Sequence, residues 1–364
     1  MCADDLLLWR RSGGGLMYIR SAGNISPQVS FDQLLTGPVS YTGDKLSCIE
    51  PDYAAYIDPK QIRRMSRIIK MGVTAALECL KDTGITVPDA IITGTAYGCL
   101  ADTDVFLTKL VENKEELLTP TAFIQSTHNT VGAQIALLLK CHNYNNTYVH
   151  RGFSFESALI DGMTMIEEGD ASDVLVGGVD EITGTSHAIL SRFGLYRKDN
   201  SNSLDLFSKP SNGTLNGEGA AFFLLSSEQK DNAFAKLDGL SSFYKPVDIK
   251  ETETNIKSFL DMHHVRASDL DLVIIGKNGD QTNDAVYKEL EQTIFKNAPI
   301  GVFKHLCGEY PTSSAFALWL ASNILKSGQV PGIVGEQKVS NPRKILIYNH
   351  YKNMHHAVYL LSSC

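Results

Sequence analysis

Asn145-Asn146-Thr147-Tyr148-Val149-His150-Arg151-Gly152-Phe153-Ser154-Phe155-Glu156-Ser157-Ala158-Leu159-Ile160-Asp161 sets a strand, a sharp turn and a helix in immediate succession. The β-prone run Thr147-Tyr148-Val149 meets Gly152, and an amphipathic helix follows with Ala158, Leu159, Gly162, Met163 and Ile166 on one side. A strand that turns sharply into a helix aims the turn residue at the helix N-terminus. There, unpaired N–H groups and the positive dipole end stabilise an anionic nucleophile. Enzymes place a reactive Ser or Cys at such elbows. This elbow holds Gly152 flanked by Phe153, and no cysteine.

On either side the same units recur. A helical pattern runs from Pro59 to about Thr83 and Gly84 ends it; its outer face carries Lys60, Arg63, Arg64, Arg67 and Lys70. The continuous apolar run Ala90-Ile91-Ile92-Thr93-Gly94 suits a strand of a parallel sheet covered on both faces. Helices at about Thr103–Glu112 and Thr130–Leu139 lead to the elbow, and Gly169 caps the helix behind it. A second buried strand is Val174 to Gly178, and Phe222 to Leu225 follows the turn Gly217-Glu218-Gly219, whose glycines permit close backbone packing. The plan then repeats: a helix at Glu251–His263, a strand at Asp271–Gly276, a helix at 283–296, a strand near Ile300, a helix at Ser313–Leu325, and strands at Lys344–Tyr348 and Ala357–Leu361. Two copies of one pattern predict an internally duplicated α/β architecture.

Composition sets bounds. With 364 residues, 43% hydrophobic and 20% charged, the chain is long enough for two packed cores. A net charge of −8 argues against nucleic acid as a partner, and no apolar run reaches the roughly 20 residues of a membrane span. Seven cysteines scattered without Cys-x-x-Cys pairs read as free thiols in a reducing cytoplasm. No residue pattern calls for a metal or cofactor. Residues 1–16 read as an N-terminal extension from a start placed early: Leu6 to Leu8 is too short, and Arg10 and Arg11 lie on the wrong side, for a secretory signal. The fold proper then begins near Met17, with one half at 17–230 and the other at 231–364.

Arg64-Met65-Ser66-Arg67, Ile92-Thr93-Gly94-Thr95-Ala96-Tyr97-Gly98, Asn129-Thr130-Val131-Gly132, Val176-Gly177-Gly178-Val179-Asp180-Glu181, Gly217-Glu218-Gly219-Ala220, Thr282-Asn283-Asp284 and Lys304-x-x-x-Gly308 stand in a telling order and spacing. Together they make the chain resemble the β-ketoacyl-acyl-carrier-protein synthase family from about Met17 to Leu361. The resemblance implies a thiolase-like five-layer αβαβα architecture. It also implies a cysteine at the elbow and two histidines that decarboxylate a malonyl unit and stabilise the enolate. Matched motif by motif, the cysteine position falls on Gly152 to within one residue, the first histidine on Gly276 and the second on Glu309, after a retained Lys304. Asn278 and Asp280 replace the threonines that grip a phosphopantetheine arm, and Asn349 to Met354 replaces a glycine-rich loop. Glycine forms no thioester, and an ionised glutamate repels an enolate.

The resemblance therefore implies a non-condensing, chain-length-factor-like subunit of the aryl-polyene or flexirubin type, paired with an active ketosynthase. The elbow strand, Thr147, Tyr148, Val149 and His150, would form the dimer interface, and a homodimer is the alternative assembly. Phe153 and Phe155 would fill the subunit's own acyl pocket or be ordinary core aromatics. Lys60, Arg63, Arg64 and Arg67 would meet an acyl carrier protein. Two other functions stay open: acyl transfer or hydrolysis using Ser154 or Cys307, and a structural homodimer that binds an acyl ligand without turnover. His128, His150 and His305 read as polar core or interface residues.

Overall fold

Ten strands carry the architecture, five in each half. In the first half they are β1 (Tyr18–Ile25), β2 (Ala90–Gly94), β3 (Tyr144–Tyr148), β4 (Asp173–Asp180) and β5 (Gly219–Ser226). In the second half they are β6 (Ala235–Tyr244), β7 (Leu272–Ile275), β8 (Ile300–Val302), β9 (Lys344–Tyr351) and β10 (His355–Ser362). The structure, a computed structural model, describes residues 6–8, 17–199, 202–209, 211–335 and 339–364. Of the segment read as an extension, Leu6–Leu8 pairs antiparallel with Ser241–Phe243 of β6, and the rest lies outside the described residues.

The strands order as β3-β2-β4-β5-β1 in one half and β8-β7-β9-β10-β6 in the other, the same permutation twice. In each half the fifth strand runs antiparallel to its neighbours while the second pairs in parallel with the third and fourth. Among the described residues the strands of the two sheets pair where Tyr18 and Ile19 of β1 lie opposite Lys236 and Ala235 of β6. The expected duplication is thus the fold.

Alternation along the strands assigns the layers, because successive side chains point to opposite faces. In β2 and β4, Ala90, Ile92, Val174 and Val176 face a central layer, and Ile91 and Leu175 face an outer one. The central layer holds the helices Ser154–Glu168 and Ser314–Ser327 and receives side chains from both sheets. The second of these, apolar nearly all round, is buried along most of its length, as a helix between two sheets must be. Arg67–Leu80 and Thr130–Leu139 cover the first sheet outside, and Ile249–Met262 and Gln281–Gln292 cover the second. These are the five layers of a thiolase-like ketosynthase fold.

Several boundaries differ from expectation. The helix expected over Pro59 to Thr83 is two, Pro59–Ile62 and Arg67–Leu80, with Ser66 extended between them. The break lets Arg67 leave the solvent face: its guanidinium makes two 2.6 Å bonds to the buried Glu218 and one of 2.6 Å to Glu50. Glu218, the acid of the Gly-Glu-Gly turn, also accepts from the backbone N–H groups of Cys48 and Ile182, both at 2.8 Å. The elbow strand lies at Tyr144–Tyr148, ahead of its expected start at Thr147, and Val149 and His150 fall beyond it. Six cysteines are described and none is paired. Among the described residues no helix is long and apolar enough to cross a membrane.

Candidate functional site

The carboxyl ends of the parallel strands gather the side chains that matter, as they do in open α/β sheets generally. In the second half, Ile275 sits in register with Val302 and with Tyr348, so Gly276 and Phe303-Lys304 leave their strands beside Asn349 of β9. In the first half, Gly94 is in register with Tyr148 and Gly178. Thr95-Ala96, the elbow and Asp180 therefore also converge.

At the elbow the residue forced into the left-handed region is Arg151, with φ 50°, one position before Gly152. A short 3-10 turn, Arg151–Phe153, then runs into the helix from Ser154. Neither Arg151 nor Gly152 offers a nucleophile. A Cβ added at Gly152 would lie 2.8 Å from Tyr351 Cβ and 2.9 Å from His355 Cβ, so the β9–β10 hairpin occupies the space a side chain there needs. Ser154 is buried; its hydroxyl donates to Arg151 O and accepts from His150 N–H, both at 2.8 Å. It is the first helical residue rather than the cap, and it locks the elbow. Cys307 is fully buried, and burial pushes its thiol far up. Neither is poised for acyl chemistry.

The other two positions are equally closed. A Cβ at Gly276 would overlap Asn349 Oδ1 and lie 2.7 Å from the Tyr287 hydroxyl. Those two side chains fill the volume an imidazole would take. Glu309 is held by backbone bonds to Leu215 O and from Gly217 N–H, and its Oε2 accepts from Lys304 Nζ at 2.7 Å and Asn278 Nδ2 at 2.6 Å. Lys304 is fully buried, and this pair is its ion pair. The cluster presents acceptor oxygen, which repels rather than stabilises a developing oxyanion.

Over Asn278 and Glu309 lies a cavity of about 320 Å³ with apolar walls from Leu100, Leu107, Ile189, Leu190 and Leu195. Its rim includes Asp180 and Glu181. Burial pushes the Asp180 carboxyl up to about 6, against hydrogen bonds from Thr312, Ala96 and Thr95; burial likewise pushes Glu181 up to about 7. Asp180 ties the halves together, bonding Thr95 and Ala96 of one and Thr312 of the other.

The remaining expected site residues scatter. Phe155 packs in the central core against Phe223 at 5.8 Å, so of its two readings the geometry favours core aromatic. Phe153 sits at the elbow, edge-on to His355 at 4.8 Å. Asp280 caps the helix Gln281–Gln292 by accepting from Thr282 and Asn283 N–H. Lys60, Arg63 and Arg64 are exposed, whereas Arg67 is engaged with Glu218. His305 is buried against Phe207, and burial pushes its pKa down to about 4. Tyr351, Lys352 and His355, which now surround the elbow, carried no sequence signal beyond the lost glycines of their loop.

The sheet edge beside the elbow is open: β3 pairs with β2, and among the described residues no strand covers its other side. Tyr144 on the strand and Val149 just past it are exposed, and so, by 70%, is Leu137 on the helix Thr130–Leu139 that packs beside the strand.

Residues 34–231 match the family model described as beta-ketoacyl synthase, N-terminal domain. No curated protein matches the chain in sequence. Among solved structures it is similar to a chain of the ishigamide ketosynthase/chain length factor (TM-score 0.81, 17% identity, 97% of this chain and all of that one). It is similar also to a chain of the ketosynthase ApeO in complex with its chain length factor ApeC from Xenorhabdus doucetiae (0.74, 16%, 98% and 100%). A third is a type II acyl-carrier protein in complex with its ketosynthase, AntDE:AntF (0.79, 14%, 96% and 100%).

Proposed function

Because this chain belongs to the beta-ketoacyl synthase family, we propose that it is a non-condensing, chain-length-factor-like subunit that pairs with an active ketosynthase in polyketide or fatty-acid-type assembly, of the aryl polyene kind. The observation that carries the reading is a thiol-free, filled elbow beside an unpaired strand edge with Tyr144, Val149 and Leu137 exposed next to it. An uncovered edge is a template for another chain, and a clustered apolar surface marks a protein interface. Two of the similar structures are named as a ketosynthase with its chain length factor, which agrees with such an assembly.

Co-expression with a ketosynthase that carries the cysteine and both histidines is expected to give a one-to-one complex burying more than about 2,000 Å². Val149→Asp with Leu137→Asp places two charges beside the open edge, one just past the strand and one on the neighbouring helix, and is expected to abolish the complex while the monomer stays folded, since both sites are exposed. Gel filtration showing two stable, separate species at micromolar concentration, or a self-pairing chain that ignores the synthase, overturns the heterodimer.

The exposed Lys60, Arg63 and Arg64 offer a landing surface for an acidic carrier protein. Opposite charge speeds encounter more than it deepens affinity. Lys60→Glu with Arg63→Glu is expected to slow product formation by the complex, most at low salt where screening is least. Unchanged rates at both salts would leave these residues as a solvated face.

A further inference from the structure

A second cavity, of about 490 Å³, opens on the elbow; it shares Tyr97, Tyr351 and Lys352 with the one over Glu309 but none of that cavity's acids. Its size suits a small molecule. It is assembled from four distant segments: Tyr97, the elbow at 150–153, the end of β6 at 242–244, and the hairpin at 351–355. Arg151, Lys352, His150 and His355 all line it, and no aspartate or glutamate does. For a chain of net charge −8, that is a marked local reversal.

We propose that this cavity, built by His150, Arg151, Phe153, Tyr244, Lys352 and His355, binds an organic anion whose carboxylate is carried on a flat, apolar body. The charge argument rests on geometry. Arg151 is held in the left-handed conformation that non-glycine residues rarely adopt, and Arg151 and Lys352 have no ion-pair partner among the described residues. The acid that reaches this region from the far side, Glu309, is already met by Lys304 and Asn278. Lys352 lies over the Tyr351 ring at 5.2 Å and Glu309 acts on it from outside, but no carboxylate lines the cavity itself to pair with these basic groups. Burial lowers the Lys352 pKa and Arg151 adds to this against Glu309; burial lowers that of His355, and His150, Arg151 and Lys352 add to it. An anion placed between them removes that repulsion and accepts charge-assisted hydrogen bonds, with Arg151 able to grip a carboxylate through two N–H groups.

The aromatic groups specify the rest of the ligand. Phe153, Tyr244 and His355 stand edge to face around one another, with ring centroids 4.8 to 6.3 Å apart. Such a cage offers ring faces and edges to a planar hydrocarbon. A small inorganic anion would leave those walls without contact, and an uncharged ring would leave the cations unpaired.

The test uses 2-naphthoate, followed by its fluorescence or by calorimetry on the purified protein. Saturable one-to-one binding is expected. Arg151→Gln with Lys352→Gln should weaken it by about tenfold or more, as charged hydrogen bonds of this kind are lost. The single Arg151→Gln, an exposed position, should weaken it to an intermediate degree, and Lys296→Gln, exposed and outside the cavity lining, should leave it unchanged. 2-Naphthalenemethanol, the same body without the charge, should bind at least about tenfold more weakly. No saturable binding, equal binding of the alcohol, or displacement by inorganic phosphate as effective as by naphthoate overturns the assignment. So does full affinity in a folded double variant.

Discussion

Malonyl-carrier protein incubated with this chain alone is expected to keep its carboxylate, and no acyl group is expected to attach to the chain. The reason lies at three positions at once. The elbow has no thiol at Arg151 or Gly152; Gly276 has no imidazole, and Asn349 and Tyr287 occupy its place; Glu309 presents acceptor oxygen beside Lys304. Loss of one oxyanion donor alone costs roughly 10²–10³ in rate, and here the nucleophile is gone as well. Gly152→Cys is expected to restore nothing and to lower stability by about 1–3 kcal/mol, because the new Cβ meets Tyr351 and His355 atoms that the hairpin holds in place. Adding Gly276→His and Glu309→His is expected to destabilise further without activity, since Asn349 must first move. Decarboxylation above the buffer background, or an acyl adduct seen by mass spectrometry in the native protein, would defeat the non-condensing reading.

Lys304→Met is expected to cost about 3–5 kcal/mol of folding stability in a denaturant titration, the usual penalty for stranding one charge of a buried pair. Lys304 is fully buried, and its removal leaves Glu309 with Asn278 as its remaining side-chain donor. The double variant Lys304→Met with Glu309→Gln is expected to recover most of the loss, because neutralising both partners leaves no isolated charge. If the double variant costs the sum of the two single substitutions, the pair is not coupled and the account of the floor of the cavity over Glu309 fails.

Elements with a local cause were legible. The runs Ala90–Gly94 and Leu272–Ile275 are apolar at every other position or more, because both faces of their sheets are covered, and each was readable as a buried strand. Gly169 was readable as a helix cap, and the structure gives it φ 81°. The helix break at 63–66 was not readable. Its cause is Glu218, 151 residues away in sequence, and the periodicity of Ile62, Met65 and Ile69 passes through the break undisturbed. The β-prone run before Gly152 and the amphipathic pattern after it located the elbow, but the strained residue is Arg151, a distinction of backbone torsion that residue identity does not carry.

By itself the sequence determined the duplicated α/β order of this protein and that Gly152, Gly276 and Glu309 carry neither thiol nor imidazole, since burial pattern and residue chemistry are written position by position. Only the tertiary structure decided what fills the vacated places and what surrounds the elbow. Asn349 and Tyr287 close Gly276, the hairpin closes Gly152, and Arg151, Tyr244, Lys352 and His355 meet at one cavity. Those residues lie up to about two hundred positions apart, and their distances follow from strand order and register, which periodicity along the chain does not encode.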